Sequence, residues 1–406
     1  MGIKVSAGNK GDKVRSDCFV ELEIPDSGGI KIELKSKVLA LYGDDIRKLA
    51  IEMLTFYSIK NAELSIEDSG ALPFVLAARI EAVIKKILSD EKEFLLPLNE
   101  ENTYSVIRDK FRFSRLYLPG NTPAMMINSG IHKPHAIILD LEDSVSFDKK
   151  YEARFLVRNA LRQVDFYGTE RMVRINQLPL GIEDLQYVVP HNLHLILLPK
   201  CENASQIKSV EHEIYKIQSA SDITKPVFIM PIIESALGVE NAFEIAGASE
   251  NIVAMAIGLE DYTADMGVKR TLNGNESFYA RTRLVNACKA AGIQAIDSVF
   301  SDVGDMDALF ENVLNSKSLG FEGMGCIHPR QIEVIHRGFS PDSNEIDKAK
   351  KIVNAYHLAS ESGLGVVSLG TKMIDAPVVK KAQKTIDLAV KLGIISNDWR
   401  KEYVSN

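Results

Sequence analysis

Apolar and polar positions change rhythm along the chain. Over residues 18–34, CFVELEIPDSGGIKIEL, they alternate, which predicts two strands around the D-S-G-G turn, where glycine supplies positive φ. A helical stretch over 45–59, a short strand over 62–66 (AELSI) and an apolar-periodic helix over 71–88 follow. Strands and helices mixed in this way predict a small α+β domain over residues 1–95. The polar stretch SDEKEFLLPLNEENT, 89–103, reads as the linker behind it. From residue 116 short apolar runs recur, each followed by a longer amphipathic segment. They are RLYLPG (115–120), HAIILDLED (135–143), RMVRIN (171–176), HLILLPK (194–200), VFIMPIIES (227–235), IVAMAIGLED (252–261), IQAIDSVFSD (293–302) and GMGCIHPRQ (323–331). Eight alternations of buried strand and helix predict a parallel α/β sheet closed as a (β/α)8 TIM barrel over residues 110–365. A doubly wound open sheet is the rival, but no GxGxxG opens any helix.

In such a barrel the reacting groups come from the C-terminal strand ends. The apolar part of each run fills the barrel, and the polar residue that stops it faces the mouth. Asp140, Glu142, Asp143, Arg174, Lys200, Glu234, Glu260, Asp261, Asp297 and His328 fall at or near such ends. Glu234 and Asp261, hard carboxylates on neighbouring strands, suit Mg²⁺, which takes one or two protein ligands and completes its octahedron with water and substrate. Helix capping, or pairing with surface bases, is the plain alternative. Arg174 can hold a substrate carboxylate through two parallel hydrogen bonds, or serve as the buried partner of Asp140 or Glu142. The acidic run DLEDS, 140–144, is too dense for a core; it faces an arginine or water, or Asp143 or Ser144 caps a helix. Lys200 is a Schiff-base candidate, set against a neighbouring metal pair that already supplies the electrophile. His328, before Pro329, reads as structural or as part of a binding loop. Asp375, between apolar residues ahead of a proline and a helix, suits proton transfer if its pKa is raised, and a helix cap equally.

Composition narrows the class. Of 406 residues 46% are apolar and 25% charged, and the net charge is −7, which argues against nucleic acid or an anionic membrane as the main partner. Cys18, Cys201, Cys288 and Cys326 form no CxxC pair and read as reduced thiols, with neither a disulfide frame nor a zinc site. No run is long enough to cross a bilayer and the N-terminus lacks an apolar signal core. A cytoplasmic protein is expected.

The strand-end residues also carry a resemblance. LYLPGNTPAMM (116–126), ILDLEDSV (138–145), VRIN (173–176), LLPK (197–200), IIESALG (232–238), IGLEDYTADMG (257–267), ARTRLVNACKAAGIQAIDSVFSD (280–302), GMGCIHPRQI (323–332) and GVVSLGTKMIDAPV (365–378) together resemble the citrate lyase β-subunit (citryl lyase) family. That family lies within the wider group of Mg²⁺-dependent malyl-CoA lyases and HpcH/HpaI aldolases. The resemblance implies a homotrimer or hexamer of TIM barrels. It makes Glu234 and Asp261 the Mg²⁺ ligands and Arg174 the holder of the keto-acid carboxylate. Asp140, Glu142 and Asp143 match the acidic signature near the substrate, with Pro119 and Gly120 beside it and Asp140 and Glu142 among the catalytic groups. Residues 366–406 become a lid and helix on a neighbouring subunit, and Asp375 handles the proton there.

The N-terminal domain has its own likeness. GDKVRSDCFVELEI, YGDDIRKLAIEML and LSIEDSGALPFVLAARIEAVI resemble the acyl carrier (γ) subunit of citrate lyase, so the small α+β domain is acyl-carrier-like. In such carriers the serine bearing the phosphopantetheine-like arm lies two positions before the aspartate. Here Arg15 takes that place and Ser16 directly precedes Asp17. Either Ser16 is the attachment point, or the domain carries no arm and the barrel uses free CoA thioesters. The reaction implied is Mg²⁺-dependent cleavage of a 3-hydroxy acyl thioester, with oxaloacetate and an acetyl thioester as the preferred products. Malyl-CoA, methylmalyl-CoA or malate-synthase-like chemistry is the alternative. A citrate lyase α-type subunit is the implied partner, and a non-catalytic carrier or assembly subunit is the rival of another class.

Overall fold

The computed structural model describes residues 3–361, 367–369 and 372–400. Of the motif at 365–378 and the segment 366–406, residues 365–366, 370–371 and 401–406 therefore lie outside the description. The N-terminal domain has strands β1 (Val5–Gly8), β2 (Cys18–Glu23), β3 (Ile30–Ser36) and β4 (Ala62–Asp68), with helices α1 (Leu39–Phe56) and α2 (Pro73–Ile87). The sheet order is β1-β2-β4-β3. The D-S-G-G turn thus joins two strands that do not pair, because β4 inserts between them, antiparallel to β2 and parallel to β3. Strand β1 and the early start of α1 are additions to the sequence reading. Pro73 opens α2 in its first turn, where a missing N–H costs nothing. Every residue from Phe74 to Ile84 is buried, since α2 has two neighbours. One face covers the small sheet; the other lies on α3 (Lys150–Gln163) of the next domain.

All eight apolar runs are strands: β5 (Ser114–Pro119), β6 (Ala136–Asp140), β7 (Glu170–Arg174), β8 (Leu195–Leu198), β9 (Phe228–Ile233), β10 (Ala254–Ile257), β11 (Gln294–Ile296) and β12 (Met324–Cys326). They pair in parallel in chain order from β5 to β11, and β12 pairs with β5. A bridge between Asp297 and Met324 closes the ring. Alternate residues such as Ile138, Met172, Leu197, Met230 and Ile232 fill the interior, while Ile137, Leu139, Val173, Ile196 and Ile229 meet the helices outside. Two buried faces explain why the runs read as continuously apolar.

The segment 89–103 is more than a linker. Leu96 O accepts from Arg162 Nε at 2.8 Å, Asn99 N–H donates to Arg162 O at 2.8 Å, and Phe94 N–H donates to Glu81 at 3.1 Å. It is strapped along α3. At the other end, the helices Ser343–Glu361 and Ala376–Lys391 share a separate small core of Ala349, Val353, Ala382, Ile386 and Trp399. The first of these helices, placed with the barrel by the boundary at 365, thus packs with the C-terminal segment. All four cysteines are buried and free. Among the described residues no helix is long and apolar enough to cross a membrane.

Candidate active site

The C-terminal ends of β6 and β7 meet in an ion-pair cluster. Arg174 donates from Nε and Nη2 to the two oxygens of Asp140, both at 2.7 Å. Its Nη1 lies 2.8 Å from Glu142 Oε2 and 3.8 Å from Asp143 Oδ2. The buried pairing with Asp140 and Glu142, one of the two roles open to Arg174 from sequence, is present and engages most of its fork. Burial opposes its charge, yet the Asp140 hydrogen bonds hold the guanidinium above its ordinary range. Burial likewise pushes against an ionised Asp140, but Arg174, the Ser144 side chain and the Glu142 N–H bring its pKa down. Gly120 serves this cluster from behind. Its N–H donates to Asp140 O at 2.7 Å, and a Cβ there would stand 2.5 Å from that oxygen.

Two strands along the ring, Glu234 follows β9 and is 6% exposed. Its Oε2 accepts the Lys200 N–H at 2.9 Å. Burial pushes its carboxyl up to about 8, and the neighbouring Glu142 and Asp261 charges add to this. Gly258 makes room for it, because a Cβ at 258 would sit 2.5 Å from Glu234 Oε1. The Lys200 ammonium lies 3.6 Å from Asp261 Oδ1 and 3.9 Å from Glu142 Oε1. Burial alone would lower its pKa, but Asp261 and Glu142 raise it. A lysine held protonated is a poor Schiff-base nucleophile.

A cavity of about 380 Å³ opens here, lined by Tyr117, Asp140, Asp143, Arg174, Glu234 and Asp261 among others, with Glu142 and Lys200 behind its wall. Several expected residues lie elsewhere. Pro119 and Gly120 do not line it, since the turn after β5 tucks Gly120 under Asp140. Glu142 stands behind Arg174, donated to by Gln177 Nε2 at 3.0 Å. Asp297 lines the cavity but pairs with Arg281 and Ser316. Asp375 caps the helix Ala376–Lys391, accepting the Val378 N–H at 3.3 Å, and is absent from this cavity of its own chain. His328 Nδ1 accepts the Arg330 N–H at 3.2 Å, a turn-forming role. Ser16, half-buried with φ +54°, donates its N–H to Ser69 O at 3.1 Å. Sequence reasoning passed over Arg115 and Tyr117, both of which line the cavity. Their two-residue spacing on β5 puts both on one face of the strand, and closure of the ring makes that face the interior.

The donor set suits a divalent cation. Glu234 is a carboxyl that burial and like charges keep from ionising, the condition a bound cation reverses. Among the described residues no cluster of three or more His, Cys, Asp or Glu side chains is gathered to hold a metal. Two carboxylates with open positions fit Mg²⁺, which keeps water and substrate oxygens in its shell.

Comparison with known proteins bears on the family and the fold. Residues 114–329 match the HpcH/HpaI aldolase/citrate lyase family model. The chain belongs to that family. Residues 8–87 match the malonate decarboxylase delta subunit (MdcD) model. The citrate lyase subunit beta of Leuconostoc mesenteroides subsp. cremoris is 39% identical over 286 residues, 69% of this chain and 94% of that one. The mitochondrial citramalyl-CoA lyase of Mus musculus is 30% identical over 345 residues, covering 81% and 97%. A crystal structure of protein CitE from Mycobacterium tuberculosis, in complex with magnesium, acetoacetate and coenzyme A, superposes with TM-score 0.58 at 26% identity, over 70% of this chain and 99% of that one. As a member of the HpcH/HpaI aldolase/citrate lyase family with relatives named lyases, the chain is a carbon–carbon lyase acting on a CoA-type thioester.

Proposed function

We propose that the chain is a Mg²⁺-dependent lyase that cleaves a citryl thioester into oxaloacetate and an acetyl thioester. The observation carrying this reading is Glu234, a buried carboxyl that follows the strand next to that of Asp261 and lines one cavity with Asp261 and Arg174. Glu234 and Asp261 would hold the ion, and when bound it would polarise the keto-acid carbonyl. Arg174 and the Lys200 ammonium contribute fixed positive charge where negative charge grows as the C–C bond breaks. The 3-hydroxyl proton leaves to a base, the bond breaks, and the acetyl-thioester enolate left behind is protonated. Asp375 is proposed for that proton, supplied by the lid of a neighbouring subunit in a trimer or hexamer. Purified protein given citryl-CoA and Mg²⁺ should release oxaloacetate, and Glu234→Gln should lower kcat about 100-fold or more. Malyl-CoA and methylmalyl-CoA in parallel distinguish the alternative; silence toward all three ends the lyase reading.

A second reading concerns the carrier, and one observation favours it. Arg79 holds Asp17 through two hydrogen bonds, at 3.0 and 3.1 Å, and donates to Asn121 O at 3.3 Å. Asn121 lies just past the end of β5, so the Ser16–Asp17 edge borders the barrel mouth. An arm on Ser16 would deliver its acyl group to the barrel of the same chain. Intact mass of the purified protein tests this: added mass at Ser16 supports a bound carrier, and an unmodified chain assigns the enzyme to free CoA thioesters.

A further inference from the structure

Seven arginines are buried among the described residues. Arg79, Arg112, Arg154, Arg158 and Arg281 each meet a carboxylate. Arg171 donates to the carbonyl oxygens of Asn192 and Asn102. Arg115 has neither. Its Nε has no hydrogen-bond partner, and Nη1 reaches only the thioether Sδ of Met230 at 3.0 Å. No carboxylate among the described residues lies at ion-pair distance from it. Surrounded by the apolar barrel interior and 1% exposed, it is a charge that burial disfavours. A folded chain retains such a group at a cost that well-packed apolar side chains do not carry.

Its position explains what it is for. Arg115 lines the same cavity as Arg174, Glu234 and Asp261, two residues below Tyr117 on β5. The Tyr117 ring lies 5.3 Å from the Arg174 guanidinium. The cavity therefore has two cations at different heights. The upper one is engaged by Asp140 and Glu142, and the lower one has no anion. A guanidinium with free donors in a low-dielectric pocket matches a carboxylate, which it can grip with two hydrogen bonds.

We infer that Arg115 is an anion subsite in the floor of this cavity and takes a second carboxylate of the substrate, so that the pocket selects a dicarboxylic keto acid over a monocarboxylic one. The choice of a keto acid as ligand rests on the lyase reading; the anion site itself rests on the geometry of Arg115. A citryl substrate retains two free carboxylates and a malyl substrate one, so Arg115 is the residue that separates them. Because no carboxylate among the described residues pairs with it, the discrimination has a structural counterpart. Selectivity for the anion comes at the expense of ligand-free stability.

The test is calorimetric titration of oxaloacetate and of pyruvate, with Mg²⁺, into the parent protein, Arg115→Met and Arg115→Lys, with a thioester-cleavage assay alongside. The parent should bind oxaloacetate more tightly than pyruvate. Arg115→Met should weaken oxaloacetate about tenfold or more while changing pyruvate by no more than about twofold, and Arg115→Lys should recover part of the loss. Ligand-free Arg115→Met should melt at the same temperature as the parent or higher, since an apolar chain of similar length replaces an unpaired charge. That outcome also excludes misfolding as the cause of lost binding. An unchanged oxaloacetate-to-pyruvate ratio in Arg115→Met, or a parent without preference for oxaloacetate, overturns the inference. If the parent shows the Arg115-dependent preference but cleaves no thioester, the anion subsite stands and the lyase reading falls.

Discussion

At Glu234, burial and neighbouring charge act on one carboxyl in the same direction. Its folded-state pKa is pushed up to about 8, from an ordinary 4.5. The folded state therefore binds the extra proton through this window, and ligand-free stability falls as pH rises from about 4.5 to about 8, by about 1.4 kcal/mol per pH unit. A cation held there replaces the proton, so Mg²⁺ should raise the melting temperature more at pH 8 than at pH 5. Glu234→Gln, which keeps the shape without the charge, should be more stable than the parent at pH 8, equal to it near pH 5, and indifferent to Mg²⁺. Melting curves across pH check this, and parallel profiles for parent and variant would sink it. Glu234, Asp261 and Arg174 were legible in the sequence because each stops an apolar run abruptly. Arg115 was not, because a charged residue at the start of a strand reads as its solvated entry. Only the closed ring turns that position inward.

Among the elements, the barrel strands were legible and the contacts of α2 were not. A strand buried on both faces writes its own apolar run, whereas the partner of a helix face leaves no mark in the sequence. The periodicity over 71–88 describes a helix with one apolar side; the structure buries its other side too, against α3, by pairing charges. Arg158 of α3 meets Glu81 of α2, and both are fully buried. Arg158 also lies 2.8 Å from Glu93 of the strap, and Glu81 accepts from Tyr57 OH at 2.7 Å. Glu152 of α3 takes Arg79 at 3.3 Å and the Gly8 N–H at 3.1 Å. Removing one member leaves the other charge buried and uncompensated. Glu81→Ala should therefore destabilise the protein by about 3–5 kcal/mol, read as a lower urea midpoint. Glu63→Ala, at the exposed pair with Lys31, should leave the midpoint unchanged. These buried contacts tie the acyl-carrier-like domain to α3 of the barrel.

For the molecule as a whole, acid should act first at the foot of the barrel. His135 precedes β6 and His194 precedes β8, and each Nδ1 accepts a backbone N–H, from Phe113 at 3.1 Å and from Arg171 at 3.0 Å. His191 Nδ1 lies 3.1 Å from Arg162 Nη1, which can only donate. All three rings must be neutral to accept these bonds. Burial, assisted by His336 at His135, by Arg171 at His194 and by Arg158 at His191, pushes each down to about 3. The unfolded chain takes up these protons near pH 6.5 and the folded one does not, so stability falls as pH drops from about 6.5 toward about 3. Each histidine contributes about 1.4 kcal/mol per pH unit, and Glu234, whose sign is opposite, offsets one of the three. These four groups together give a slope of about 3 kcal/mol per pH unit between pH 4.5 and 6.5 without Mg²⁺. His135→Asn with His194→Asn, whose amide oxygens can accept the same N–H groups, should remove most of it. Urea unfolding at half-unit pH steps measures the slope directly. An equal slope in the double variant would move the acid sensitivity away from the barrel foot and onto the ion pairs that bind the N-terminal domain to α3.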